Sequence, residues 1–173
     1  MKKILFTLLL LLPLAASAQD DVIRSICGVR FGSSMSTCRA TLDAKYGDTV
    51  YENEDEVCYG FKSVGGVQYD FLTFTFARKG RNTYLNQVEL EIVCETRAEA
   101  NQHLAEIVEA WKQVYDLTKK YEDDGTPYWC GGTNPLDSDR YGFIIETAKS
   151  ELDSYPWKAS ITFGYGSGYG YGE

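Results

Sequence analysis

Between residues 57 and 94 the chain alternates apolar and polar residues across two turn signals, and the two turns have to agree with each other. Val64-Gly65-Gly66-Val67 reads as a two-residue hairpin turn. Pairing Val64 with Val67 sets Val57 opposite Phe74 and Tyr59 opposite Leu72. Gly80-Arg81-Asn82 reads as a three-residue turn in which Asn82 tolerates a left-handed conformation. That turn sets Phe74 opposite Val88 and Leu72 opposite Leu90. One face then carries Val57, Tyr59, Leu72, Phe74, Phe76, Val88, Leu90 and Ile92, and the other carries Thr73, Thr75, Glu89 and Glu91. A meander that is apolar on one side only must be covered on that side.

Two helices are available as the cover. Residues 35–46 carry Met35, Cys38, Leu42 and Tyr46 at helical spacing, after a Ser33-Ser34 cap and before Gly47. Thr96-Arg97-Ala98-Glu99 is a capping box. Ala100, Leu104, Ile107, Val108, Trp111, Val114 and Tyr115 follow it as a broad apolar stripe, so the helix is expected to run to Lys119-Lys120, whose charges suit its negative end. Strands are expected at residues 23–31, 128–131, 140–148 and 157–163, with an acidic loop over residues 52–56. The fold class is α+β: an antiparallel sheet with two helices packed on one face, in the order β-α-β-β-β-α-β-β.

The start of the chain bears on location. Lys2 and Lys3, an apolar run from Ile4, and Ala16-Ser17-Ala18 make a secretory signal peptide over residues 1–18. Residues 19–163 are read as a single domain and residues 164–173 as a Gly/Tyr tail. A periplasmic or secreted location follows, and no later stretch is apolar enough to span a bilayer. The whole chain has 17 basic and 25 acidic residues; loss of Lys2 and Lys3 leaves 15 against 25, or −10. Such a chain repels nucleic acid and anionic lipid. The expected partner is another exported or envelope protein.

Five cysteines in an oxidising compartment imply disulfides, with at least one thiol left over. Cys94 has the parity of the apolar face and Cys58 that of the other, so those two point apart. Bridges are sought first among Cys27, Cys38 and Cys94, then between Cys58 and Cys130.

Catalytic groups are sparse. His103 is the only histidine, and it sits on the flank of a helical stripe, where a structural or exposed role is the common one. Glu99, His103 and Glu106 share a helix side, but Glu99 serves the capping box and no second histidine completes a zinc motif. Asp123-Asp124-Gly125 and Asp137-Ser138-Asp139 do not match an EF-hand loop. No catalytic residue, metal or cofactor is expected. The aromatic residues Tyr128, Trp129, Tyr155 and Trp157, with Tyr165, Tyr169 and Tyr171 of the tail, form the candidate recognition set.

Gly28-Val29-Arg30-Phe31-Gly32-Ser33-Ser34, with Cys38, Leu42 and Gly47 behind it, resembles the opening of small exported bacterial domains. The SmpA/OmlA outer-membrane assembly lipoproteins and the β-lactamase-inhibitor-like domains carry versions of this pattern. The resemblance implies helices set against one face of an antiparallel sheet and action through protein contact rather than catalysis. The chain departs from the lipoproteins in lacking a lipidation cysteine after the leader. The expected function is a non-enzymatic binding or protein–protein interaction module. The rival reading is a small secreted hydrolase using His103 or the carboxylate pair Glu89 and Glu91, neighbours on the polar face of one strand. The Gly/Tyr tail shares the parity of Trp157, Ile161 and Phe163, so it reads as a strand continued to about Tyr165.

Overall fold

The computed structural model describes residues 21–135 and 138–164. Residues 1–18, read above as a signal peptide, residues 165–173 of the tail with Tyr165, Tyr169 and Tyr171, and Asp137 of the second acidic cluster lie outside the described residues.

The first element differs from the sequence reading. Residues 23–31 do not form one strand but a small hairpin, β1 (Ser25–Ile26) with β2 (Val29–Arg30). Cys27 (φ 57°) and Gly28 (φ 91°) form its two-residue turn, and two successive positive φ values are what a turn matching the strand twist requires. The hairpin is still apolar: Ile26, Cys27, Val29 and Phe31 are all buried in the core. Helix α1 (Met35–Tyr46) follows, capped by Ser34, whose Oγ accepts from the Thr37 N–H at 3.3 Å. Gly47 ends it, its N–H donating to the Asp43 carbonyl at 2.9 Å. Cys38 and Leu42 are fully buried.

The supposed acidic loop is shorter than expected, because Tyr51–Glu52 forms a strand, β3, that pairs with β4 (Glu56–Val64). Asn53 Oδ1 turns the chain between them by accepting the N–H groups of Asp55 and Glu56, both at 2.8 Å. In the meander of β4, β5 (Val67–Lys79) and β6 (Asn82–Cys94), Val64 pairs with Val67, Val57 with Phe74, Tyr59 with Leu72, Phe74 with Val88 and Leu72 with Leu90. The whole expected apolar face is buried.

Two details of the meander correct the sequence reading. The β5–β6 turn holds two residues, Gly80-Arg81, since Lys79 pairs with Asn82. The register at Phe74 survives because a bulge opposite Thr75 and Phe76 absorbs the one-residue difference at Asn86. The bulge places Leu85 in the core, and the Leu85 N–H and carbonyl bond Ser33 and Gly32 at 2.8 and 2.9 Å. In β4, Phe61 has φ 50°, which reverses the alternation: Val57 and Tyr59 point into the core, and so do Val64 and its partner Val67 beyond the reversal.

Helix α2 (Arg97–Trp111) is capped by Thr96 as expected, but it ends eight residues before Lys119. Lys119 and Lys120 instead lie on strand β7 (Leu117–Tyr121). The chain reverses through residues 112–115, so that Tyr115 stacks on Trp111 with ring centroids 6.0 Å apart. Strands β8 (Pro127–Thr133), β9 (Tyr141–Leu152) and β10 (Tyr155–Gly164) complete the sheet. Its order is β3-β4-β5-β6-β10-β9-β8-β7, with the paired strands antiparallel. Thus α2 carries the chain from the sheet centre to its far edge, and three further strands bring it back to lie against β6.

Among the described residues the fold is α+β, with two helices, a large antiparallel sheet and a small two-stranded one; the order is β-β-α-β-β-β-β-α-β-β-β-β rather than the expected β-α-β-β-β-α-β-β, because the first strand is a hairpin and residues 51–52 and 117–121 add strands. Ala100, Leu104, Ile107 and Trp111 bury the inner stripe of α2, and the Trp111 ring packs on Phe143 and Phe163 of β9 and β10. Trp111 Nε1 donates to Tyr69 Oη at 3.2 Å, which satisfies both polar tips in the core. None of the described helices is long and apolar enough to cross a membrane. All five cysteines are buried free thiols, so none of the anticipated bridges among Cys27, Cys38, Cys94, Cys58 and Cys130 is present. Cys94 ends β6 on the core face and Cys58 lies on the opposite face, as the parity required.

Candidate functional site

The outer face of the sheet, away from α2, carries an open trough of about 510 Å³. Strand pairing builds its floor in straight rows. Cys58 pairs with Thr73, Thr73 with Glu89 and Glu89 with Thr162. In the next row Gly60 pairs with Phe71, Phe71 with Glu91, Glu91 with Ser160 and Ser160 with Glu146. Val50 and Tyr51 form one wall. A Cβ on Gly60 would come within 3.0 Å of Val50 Cγ1, so the bare glycine lets Val50 lie over the sheet. The end of β9, from Lys149 to Leu152, forms the opposite wall.

Lys158 organises the floor. Its Nζ lies 2.6 Å from Glu89 Oε1 and 2.9 Å from Glu91 Oε2. All three side chains are about four-fifths covered, with exposures of 19%, 22% and 18%. Burial pushes the Glu91 carboxyl up, and the Lys158 ammonium opposes that. Burial would lower Lys158, but the two carboxylates outweigh it and hold the ammonium above its ordinary range. Glu146 is also raised, by burial and then by the charges of Glu122 and Glu89. The Cys58 thiol is raised by burial, and its sulfur accepts from Thr73 Oγ1 at 3.6 Å.

The trough counts four carboxylates (Glu56, Glu89, Glu91, Glu151) against two ammonium groups (Lys149, Lys158). Its walls are apolar or aromatic at Val50, Tyr51, Phe71 and Leu152. This is a cation-favouring groove with hydrophobic flanks. Among the described residues it lacks a nucleophile–base pair: Cys58 has no histidine near it, because His103 is on α2, across the sheet.

The sequence-level candidates are dispersed. Glu89 and Glu91 reach the trough, and the charge between them is shared with Lys158. His103 Nδ1 lies 2.9 Å from Glu106 Oε2, on the helix side. Glu99 Oε2 accepts the Glu95 N–H at 3.0 Å, one residue before the Thr96 N–H that a capping box uses. Asp124 Oδ1 accepts the Thr126 N–H at 2.8 Å within a turn.

The described aromatic residues do not share one patch. Tyr128 lines a smaller cavity of about 130 Å³ with Lys120, Cys130 and Tyr141. Trp129 and Trp157 pack against the core. Lys149 Nζ sits 3.7 Å from the Trp157 ring centroid, and the Arg97 guanidinium covers the same ring at 5.2 Å. Tyr155 is exposed at the β9–β10 turn.

Sequence reasoning missed Val50, Tyr51, Cys58, Phe71, Lys149 and Lys158 as one site. The available signal was Phe71, an aromatic residue with the parity of Thr73 on the polar face of the meander. Comparison with models of protein families, with curated proteins and with solved structures finds no match.

Proposed function

We propose that the protein is an exported binding module that engages a basic segment of another exported or envelope protein in the outer-face trough. The observation that carries the reading is the trough itself: apolar side chains on its flanks and, over the whole lining, carboxylates that outnumber ammonium groups four to two. An arginine or lysine side chain from a partner would find carboxylate acceptors while its aliphatic stem lies against Phe71 or Leu152. Export is supported by the leader-like residues 1–18 with Ala16-Ser17-Ala18. Catalysis is less well supported, since the one histidine and the carboxylate pair stand on opposite faces of the sheet.

The test is site-specific photo-crosslinking in intact cells. A photoreactive residue at position 152, on the trough wall, is compared with one at position 105, exposed on α2. The reading predicts a defined adduct from position 152 alone, reduced when Glu151 is replaced by lysine. Equal adducts from both positions, or none from 152, would exclude the trough as the docking site.

A further inference from the structure

On the other side of the sheet, the end of β6 meets the start of α2. Only Glu95 and Thr96 separate Cys94 from the helix, and the capped turn folds the first turns of α2 back over the strand end. Glu99 and His103 stand one helical turn apart on that face. One sulfur, one carboxylate oxygen and one imidazole nitrogen from Cys94, Glu99 and His103 all lie within 4.8 Å of one another.

We propose that Cys94, Glu99 and His103 form a binding site for a divalent transition metal of the zinc type, with the fourth position left to water or a ligand. The donor set selects the class of ion. Thiolate with imidazole suits Zn²⁺ or Co²⁺, whereas Ca²⁺ and Mg²⁺ require oxygen ligands. Three protein ligands leave a tetrahedral ion one open position, in contrast to a closed four-ligand structural site.

Two independent contacts orient the donors. His103 donates its Nδ1–H to Glu106 Oε2 at 2.9 Å, which leaves Nε2 with the lone pair. Glu99 has one oxygen held by the Glu95 N–H at 3.0 Å, and its other oxygen is the one available to an ion. With bonds of about 2.3 Å to sulfur and about 2.0 Å to nitrogen or oxygen, tetrahedral ligand atoms sit about 3.3–3.5 Å apart. The cluster therefore closes by at most about 1.5 Å, a movement within reach of side-chain rotamers.

The surroundings are anionic. Burial first, then Glu99 and Asp70, keeps the Cys94 thiol protonated, with its pKa pushed up to about 11. A bound divalent ion reverses that balance, and the thiol proton leaves to solvent as the sulfur–metal bond forms. His103 is about one-third exposed, which gives the ion an entry path, while Cys94 is fully buried at the back.

The test is a Co²⁺ titration of the reduced protein. One equivalent is expected, with the intense visible bands of tetrahedral cobalt and a thiolate-to-cobalt charge-transfer band, both removed by Zn²⁺. His103 is the chain's only histidine, so imidazole ligation is read directly from one set of NMR ring signals. His103→Gln should weaken binding at least tenfold while the urea midpoint stays unchanged. Glu106→Gln should weaken it about tenfold with the tetrahedral spectrum retained. Cys94→Ser should abolish the charge-transfer band. A weak octahedral spectrum without charge transfer, or His103→Gln binding cobalt as tightly as the parent, overturns the site.

Discussion

Lys158 on β10 places its ammonium 2.9 Å from the Glu91 carboxylate on β6, and the same nitrogen lies 2.6 Å from Glu89. The three side chains form the polar floor of the trough. Removing the cation would leave two largely covered carboxylates without compensation. Lys158→Met is expected to cost about 3 kcal/mol of stability near neutral pH. The pH dependence has a definite sign. Burial raises the Glu91 pKa in the folded state, so the fold binds that proton more tightly than the unfolded chain does. Its contribution falls as pH rises from the ordinary carboxylate range through the raised value. Without Lys158 the carboxyl rises further, so the deficit of the variant grows with pH and shrinks on acidification. Urea unfolding of parent and variant near pH 4 and near pH 7 checks both statements.

Phe61 carries φ 50° inside β4 and is 74% exposed. The left-handed conformation crowds its Cβ against the backbone, and the exposed ring recovers little by packing. Asparagine tolerates this region, so Phe61→Asn should stabilise the protein by roughly 1 kcal/mol. Denaturant midpoints measured at constant slope would show the gain, and a loss would mean that the ring makes contacts worth more than the strain.

Gly142 on β9 has no room for a side chain. An added Cβ would lie 2.4 Å from Ile23 Cγ1 and 3.1 Å from the Thr133 carbonyl oxygen. Gly142→Ala should destabilise by about 2 kcal/mol through overpacking. Ile23→Ala alone should also destabilise, because Ile23 is buried. Together the two changes should cost less than the sum of the singles, since the second vacates the space that the first requires. A thermal-unfolding double-mutant cycle measures that coupling, and strict additivity would contradict the packing.

The thiols give a fourth expectation. All five are free and buried, and burial pushes Cys38, Cys94 and Cys130 up to about 11. At neutral pH they are therefore protonated and poorly nucleophilic. Thiol reagents should label the native protein slowly and modify all five cysteines once it unfolds without reductant. Added reductant should leave the unfolding midpoint unchanged. A count below five in the unfolded chain would reveal a bridge.

Much of the meander was legible because its determinants are local. Val64-Gly65-Gly66-Val67 fixes a register by turn geometry, and the pairs it sets, Val57 with Phe74 and Tyr59 with Leu72, are observed. The second turn shows how a correct register can rest on an incorrect detail. Gly80-Arg81 is a shorter turn than the sequence suggests, and a bulge at Asn86 restores Phe74 to Val88. The hairpin at Cys27-Gly28 was hidden because Ile26, Cys27 and Val29 look like one apolar run; only the positive φ values reveal the turn. The end of α2 was misread for a related reason. Val114 and Tyr115 continue the apolar spacing, yet β8 offers Leu117 and Lys119 strand partners at Gly131 and Trp129.

The sequence by itself determined the Gly65-Gly66 turn, the caps at Ser34, Gly47 and Thr96, and the faces of the central meander pairs, because these depend on dihedral preferences and parity over a few residues. It thereby put Glu89 and Glu91 on one polar face and Cys94 on the other. The tertiary structure decided which strand lies beside β6. Lys158 meets Glu89 across 69 residues of chain. That neighbour is selected by burial of the whole sheet under α2, a long-range free energy that no local pattern encodes. Cys94, Glu99 and His103 differ, for they lie within ten residues and the capped turn between β6 and α2 brings them together, so of the two candidate sites only the trough depends on long-range packing.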